Sequence, residues 1–127
     1  MSTLEGYVYV VSNTSIPGKL KIGQTTRSIG ERLAELNNTS VPTDFEIELC
    51  CFVYDAPKAE KLIHRHFETR FKQEKEFFEV TIADAVKHLK LLVQTGTLEV
   101  LEITGRAKSS YLTETEQAEL KIATKYA

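Results

Sequence analysis

Two short apolar runs, joined by one turn and followed at once by a helix pattern, constrain the fold of this chain more than any other feature. The first run, GYVYVVS, is rich in β-branched and aromatic residues, and residues 13–18 supply turn residues before KLKIGQT resumes the apolar pattern. Runs of this kind on both sides of a turn predict two antiparallel strands that lie side by side. Gly23 is expected to end the second strand.

The segment after this hairpin has the pattern of a helix start. Ser28, with Glu31 three positions later, forms a capping box. The apolar positions that follow make one stripe of a helix: Ile29, Leu33 and Leu36. A hairpin that leads straight into this helix brings Tyr9, Lys21 and Arg32 toward one end of a small sheet.

A third strand is predicted over residues 45–54, where FEIEL alternates apolar with acidic side chains before a continuous apolar run. Alternation with a period of two directs three side chains to the core: Phe45, Ile47 and Leu49. Glu46 and Glu48 then face solvent, as in an antiparallel sheet covered on one face. Cys50 and Cys51 point to opposite faces of the strand, so we do not expect them to pair.

Helix patterns account for most of the remaining chain. Asp55 is suited to cap a helix that runs from about Pro57 to Thr69, and Thr81 is suited to cap a second helix that ends at Gly96. The segments between and after these helices are shorter. They are a charged loop over 72–75, a return strand over 76–80, an edge strand over 98–103, a linker over 104–110 and a last helix that opens at Thr113.

These elements predict an α+β fold with a small three-stranded antiparallel sheet flanked by helices and a C-terminal helical extension. We expect one domain over residues 1–103, followed by a linker and helix over 104–127. The last helix is only weakly amphipathic, so we expect it to dock loosely or to contact a partner, including a second copy of the chain. No charged-then-apolar leader opens the sequence and no apolar stretch approaches the roughly 20 residues of a membrane span, which favours a cytoplasmic location.

The charge balance restricts how this chain can bind nucleic acid. Its 127 residues carry a formal net charge of −2, so it lacks the basic excess of a protein that holds DNA by bulk electrostatics. Positive charge gathers only between residues 58 and 75. We therefore expect a local phosphate-facing patch in that segment: Lys58, Arg65, Arg70 and Lys72.

The order of three short motifs carries a family resemblance. The strand YVY, the triplet KIG at residues 21–23 and Arg32 in the next helix resemble the GIY-YIG nuclease domain. The resemblance is closest to the branch named after a bacteriophage T5 open reading frame, in which KIG commonly stands where other members have YIG. It covers about residues 5–80 and includes the downstream segments AEKLIH and EFF. It implies a DNA endonuclease of phage or mobile-element type that works with Mg²⁺ or Mn²⁺.

The resemblance also implies roles for individual residues. Glu60 matches the glutamate that holds a single divalent metal, and a hard oxygen ligand suits Mg²⁺ or Mn²⁺. Arg32 matches the catalytic arginine, whose planar charged fork suits a phosphate. Tyr9 is expected to contact or deprotonate the attacking water. The alternatives are a solvated ion pair for Glu60, a surface pair with Glu35 or Glu31 for Arg32, and core packing for Tyr9.

Three departures from the family pattern bear on activity. Lys21 replaces the second tyrosine and either binds phosphate or acts as a base. Leu36 stands where several members have a histidine or tyrosine, so proton handling is expected to have moved to His64, one turn after Glu60. Glu76 is expected to take the supporting place of an absent asparagine and to lie near the nucleic acid.

Other classes of function find little support in the sequence. His64 and His66 point about 200° apart on a helix and cannot chelate one zinc ion together. Neither GxxxxGK[ST] nor GxGxxG occurs, so a nucleotide cofactor is not expected. The alternative to the endonuclease is a nucleic-acid-binding or protein-interaction module that keeps the fold but has lost catalysis.

Overall fold

The computed structural model of the chain describes residues 4–37 and 42–111, along which six strands and four helices follow one another. The strands are β1 (Gly6–Ser12), β2 (Leu20–Thr25), β3 (Glu46–Val53), β4 (Gln73–Glu74), β5 (Phe77–Phe78) and β6 (Glu102–Thr104). The helices are α1 (Ile29–Asn37), α2 (Ala56–Glu68), α3 (Ile82–Gln94) and α4 (Lys108–Tyr111).

The strands form one antiparallel sheet in the order β4-β5-β2-β1-β3-β6. The prediction of a small three-stranded sheet is therefore wrong, although the fold is α+β as expected. The three predicted strands are the central β2, β1 and β3. Among the added strands, β5 and β6 overlap the predicted return strand over 76–80 and the predicted edge strand over 98–103, which the sequence does not assign to this sheet. The two residues of β4 are too few for a period of two to be recognised.

Both faces of the sheet are covered by helices. On one face, Val8 and Val10 pack with the buried residues of α2 and α3. On the other, Tyr9 and Val11 pack with Leu36 of α1. The expectation of one covered face is wrong because β1 is apolar at every position from 7 to 11, and a continuous apolar strand is typical of a sheet buried on both sides.

A β-bulge in the pairing of β1 with β3 overturns the expected exposure of Glu48. Val10 lies opposite Leu49 whereas Val11 lies opposite Ile47, so Glu48 is the extra residue. Its side chain is buried, and it accepts hydrogen bonds from Ser12 Oγ at 2.6 Å and from Arg106 Nη2 at 2.7 Å and Nε at 3.1 Å. Those bonds hold the pKa of Glu48 below its usual value, the arginine having the largest effect.

The predicted helix caps are confirmed at three positions. Backbone N–H groups donate to Ser28 Oγ, Asp55 Oδ1 and Thr81 Oγ1 at 3.1, 3.0 and 3.1 Å, respectively. Several strand boundaries differ from expectation. β5 covers only Phe77–Phe78 of the return strand over 76–80, and β6 is Glu102–Thr104 rather than 98–103. β2 continues past Gly23 to Thr25, and the expected charged loop contains β4.

The segment after β6 returns to the sheet within the described residues. The backbone N–H of Ala107 donates to the carbonyl of Glu48 at 2.8 Å, and the side chains of Ala107 and Tyr111 are buried. The predicted helix from Thr113, and the dimer contact expected of it, lie outside the described residues. The division between residues 1–103 and 104–127 therefore stays a prediction. Within residues 4–37 and 42–111, none of the helices has the length and apolar character needed to cross a bilayer.

Candidate active site

Tyr9 and Arg32 meet across the sheet and α1. The ring of Tyr9 is fully buried, and its hydroxyl oxygen accepts a hydrogen bond from Arg32 Nε at 3.0 Å. Gly23 lies opposite Tyr9 in the β1–β2 pair, and a Cβ at Gly23 would lie 2.5 Å from Tyr9 Cζ. A glycine is therefore required where the tyrosine ring crosses β2. Tyr9 packs in the core, as the alternative reading expects, and also contacts the predicted site arginine.

Burial raises the pKa of Tyr9, and this effect outweighs the lowering caused by the hydrogen bond from Arg32. In this environment the phenol is neutral at physiological pH. The same hydrogen bond raises the pKa of Arg32. Arg32 is thus a permanent cation held by a neutral hydroxyl.

Arg32 has a second partner on its own helix. Its Nη1 lies 3.1 Å from Glu35 Oε2, and the other carboxylate oxygen of Glu35 lies 2.5 Å from Arg27 Nη1. The alternative reading of Arg32, a pair with Glu35 or Glu31, is therefore present with Glu35, together with the Tyr9 contact. Hydrogen bonds from Arg27 first and Arg32 second lower the pKa of Glu35.

Lys21 lies on the same face of β2 as Gly23 and forms an ion pair with Glu76. Its Nζ also lies 5.2 Å from the centre of the Phe77 ring, within the range of a cation–π contact. The lysine side chain is only 13% exposed, so these contacts hold a charged ammonium in a fixed place. Glu76 thus contacts Lys21 directly.

His64 ties α2 to the outer edge of β2. β5 pairs only with Leu20 and Lys21, and beyond them the Ile22 N–H donates to the Glu76 carbonyl at 3.0 Å. His64 Nε2 lies 2.7 Å from the Ile22 carbonyl oxygen, so this nitrogen carries the proton and donates it. In the neutral ring, Nδ1 is then left as the acceptor.

Glu60 lies one turn before His64 and is half-buried. Burial raises its pKa, while His64 has the largest opposing effect, and Glu76, Lys21 and Arg32 also act on it. Among the described residues, no hydrogen bond or ion pair reaches its carboxylate. The structure therefore brings the predicted site residues close enough for their charges to affect the pKa of Tyr9 or Glu60: Tyr9, Lys21, Arg32, Glu60, His64 and Glu76.

Residues 6–93 match the T5orf172 domain, which is more than half of the chain. The chain belongs to the T5orf172 family. The match extends from the start of β1 almost to the end of α3 and includes every residue of the candidate site. No curated protein and no solved structure matches this T5orf172 chain.

The possible metal ligands of the candidate site fit a hard divalent cation better than zinc. Within the described residues, no three His, Cys, Asp or Glu side chains are grouped closely enough to hold a metal ion by themselves. Zinc usually takes three or four protein ligands, whereas Mg²⁺ is commonly bound through one or two carboxylates and several waters. The partly desolvated carboxylate of Glu60 is suited to the second arrangement.

The four basic residues of the expected phosphate patch do not lie together at this site. On α2, Lys58 and Arg65 lie about 140–160° from Glu60 around the helix axis. Arg70 is bonded to the carbonyl of His66 at 2.9 Å, at the other end of α2. Lys72 is exposed, in the loop before β4.

His66 and His88 form a separate pair, with 2.9 Å between His66 Nε2 and His88 Nδ1. A surface position or a phosphate contact is expected for His66, and a helix-surface position for His88. Both side chains are half-buried and each contacts the other ring. Burial lowers the pKa of both. They pack beside Phe67 and Phe71, away from the T5orf172 site residues.

Arg27 and Gln24 are two residues near the T5orf172 site that the sequence analysis missed. Arg27 shares Glu35 with Arg32. Gln24 directly follows Gly23, and its Oε1 is buried without a hydrogen-bond partner within the described residues. The only sequence signal for either is position, between the KIG triplet and the arginine-bearing helix.

Proposed function

We propose that this T5orf172 chain is a divalent-metal-dependent DNA endonuclease that hydrolyses phosphodiester bonds in the manner of GIY-YIG nucleases. The T5orf172 family is nuclease-like and DNA-binding, which supports the class of function. The observation that carries the proposal is the contact between Tyr9 and Arg32 in the same neighbourhood as Glu60, Lys21 and His64.

Arg32 stabilises the phosphate as negative charge develops on it. The hydrogen bond from Nε to Tyr9 fixes the guanidinium and leaves the terminal nitrogens, one of them shared with Glu35, to face a substrate. A fixed cation aimed at developing charge needs no rearrangement during the reaction. This is the largest contribution that we assign to one side chain.

Tyr9 orients the attacking water rather than deprotonating it. Its raised pKa opposes ionisation. Because its oxygen already accepts from Arg32 Nε, the phenol proton is free to be donated. Of the two roles implied by the family resemblance, contact with the water is therefore the one we propose.

His64 is the side chain that we propose for proton transfer. Its Nε2 is committed to the Ile22 carbonyl, so Nδ1 is the nitrogen available to take a proton. Lys21, held by Glu76, contacts a substrate phosphate as a charged group.

Glu60 is the residue that would hold Mg²⁺ or Mn²⁺, with Glu76 nearby. Such an ion polarises a phosphoryl oxygen and stabilises the leaving oxygen when it is bound. Burial disfavours the ionised form of the Glu60 carboxylate. A bound cation would stabilise that ionised form.

The second candidate function is a DNA-binding module without catalysis. Lys21 in place of the second tyrosine favours it, because the chain then lacks one of the catalytic tyrosines of the family pattern. The Glu60 carboxylate is the feature that separates the two functions. In a binding module without a metal, a half-buried carboxylate beside the phosphate-contacting surface would only repel DNA.

Cleavage of DNA decides between them. The purified full chain is incubated with supercoiled and branched DNA in Mg²⁺, Mn²⁺ or EDTA, beside Glu60→Gln protein prepared in the same way to detect a contaminating nuclease. We expect cleavage by the wild type with a divalent metal and none in EDTA or with the variant. Binding without cleavage under any of these conditions would leave the binding module as the function.

A further inference from the structure

We propose that Arg27 binds the same DNA phosphate as Arg32, and that Glu35 holds both arginines in place until that phosphate replaces it. This inference rests on the proposed function. It adds a binding residue outside the predicted phosphate patch and gives Glu35 a role in regulating DNA affinity.

The geometry of Glu35 imitates a phosphate. One carboxylate oxygen lies 2.5 Å from Arg27 Nη1 and the other lies 3.1 Å from Arg32 Nη1. A phosphodiester likewise presents two negatively charged oxygens, and a guanidinium fork binds either group through charge-assisted hydrogen bonds. Two arginines held by one carboxylate therefore match an oxyanion in charge and spacing.

Exposure makes the exchange feasible. The side chains of Arg27 and Glu35 are 55% and 41% exposed, and that of Arg32 is 29% exposed. Exposed ion pairs contribute little to stability, so their exchange for another anion costs little. The released Glu35 carboxylate returns to water, and neither guanidinium is left without an anionic partner.

A cavity lies beside these arginines. It has a volume of about 300 Å³ and is lined by Gln24, Thr25, Thr26, Arg27 and Arg32. Every one of these side chains is polar or positively charged.

Glu35 also lowers non-specific attraction. In the free protein it neutralises one of the two positive charges at the cavity, and the chain as a whole has a net charge of −2. DNA binds productively only where a phosphate can take the place of the carboxylate. The pair of arginines is thereby kept fixed but partly neutralised until substrate arrives.

Binding of a short fluorescein-labelled duplex, followed by anisotropy across KCl concentrations in EDTA, tests the role of Arg27. We expect Arg27→Gln to weaken binding about tenfold at low salt and to reduce the salt slope by about one. Lys87→Gln is the matched control, because it removes one positive charge from an exposed position of α3 on the opposite face of the sheet. Equal effects of the two variants would overturn the proposal.

Glu35→Gln tests the replacement directly. The change removes the carboxylate that competes with phosphate for both arginines. We therefore expect the variant to bind DNA several-fold more tightly than the wild type does. Glu31→Gln removes the same charge from the same helix without releasing either arginine, and its effect is expected to be smaller. If Glu35→Gln binds no more tightly than Glu31→Gln, Glu35 does not occupy the phosphate position.

The outcomes for the two proposals are distinct. Wild-type protein that binds no duplex at all would remove the proposed function and this inference with it. Wild-type protein that binds and cleaves, while Arg27→Gln behaves as Lys87→Gln, would remove only the inference. Thermal melting of each variant, followed by circular dichroism, confirms that loss of binding is not loss of folding.

Discussion

Arg32 touches Tyr9 through Nε and Glu35 through Nη1, so its guanidinium is fixed from two sides before any substrate binds. We expect Arg32→Ala to lower single-turnover cleavage by two or more orders of magnitude, on the order of 3 kcal/mol, because the cation acts on charge that develops in the transition state. DNA affinity, measured by anisotropy, should change much less. Arg32→Lys is the control that keeps the charge but not the fork. A loss of affinity as large as the loss of rate would show that Arg32 acts in ground-state binding.

Glu60 offers a test that separates metal binding from stability. Its pKa is raised by burial, so its ionisation opposes folding. This cost is absent below the pKa of an unfolded glutamate, about 4.3, and appears as pH rises through the higher folded-state value. We therefore expect Glu60→Gln to melt at the same or a higher temperature than wild type at pH 7, with the difference vanishing toward pH 4.

The same Glu60→Gln variant should lose both Mn²⁺-induced stabilisation and cleavage. Glu68→Gln, at an exposed position two turns later on α2, is the control and should keep both. Undiminished Mn²⁺ binding by the Glu60 variant would show that the metal is held elsewhere.

The sequence predicts the residues of the site better than their contacts. Tyr9, Lys21 and Arg32 are brought together by the hairpin and the helix that follows it, and both elements have local signals. The link from Arg32 through Glu35 to Arg27 depends on the path of the turn between β2 and α1. No periodicity encodes that path, so sequence reasoning did not find it.

At the scale of the strand pair, Gly23 sets how close the Tyr9 ring can come to β2. We expect Gly23→Ala to destabilise the fold by about 1–3 kcal/mol, because a Cβ would lie 2.5 Å from Tyr9 Cζ and the buried ring must shift. The shift also breaks the contact with Arg32, so cleavage should fall with stability. Gly30→Ala on α1 is the control, since nothing lies within 4 Å of its added Cβ. Urea unfolding of both variants gives the comparison.

One imidazole adds a hydrogen bond to the apolar packing between α2 and β2. His64→Phe keeps the ring against Phe78, whose centre lies 5.2 Å away, but removes the donor to the buried Ile22 carbonyl. We expect a loss of about 1–3 kcal/mol, the cost of an unpaired buried polar group. His64→Gln, whose amide can still donate, should lose less. Equal loss from both changes would mean that packing rather than the hydrogen bond holds the helix.

The sheet has more strands than the sequence predicts because strand pairing is not encoded locally. Strands are predicted over 76–80 and 98–103, but the places of β5 and β6 in the sheet depend on pairing with β2 and β3, which are distant in the chain. β4 is missed because its two residues carry no detectable pattern of their own. Alternation with a period of two predicts that Glu48 faces solvent, whereas the bulge opposite Val10 and Val11 interrupts that alternation. The capped helices were predicted well because their signals are local.

For the whole molecule, residues 104–111 close the β3 side of the sheet. A chain that ends at Ile103 loses Arg106, which pairs with the buried Glu48, and the buried side chains of Ala107 and Tyr111. We expect it to be less stable than a chain that ends at Tyr111 by about 3 kcal/mol or more. Thermal and urea unfolding of the two truncated proteins decides this. Equal stability would support a domain boundary at residue 103.

Cys50 and Cys51 lie side by side in the interior of β3, and burial raises their pKa values to about 11 and about 12. A thiol reagent attacks the thiolate, so neither sulfur reacts while the sheet is closed. The reactivity of these two thiols therefore reports how often the central strands open. The rate at which an aromatic disulfide dye is consumed, compared with its rate on the urea-unfolded chain, reports how often β3 separates from its neighbours, without any label being introduced.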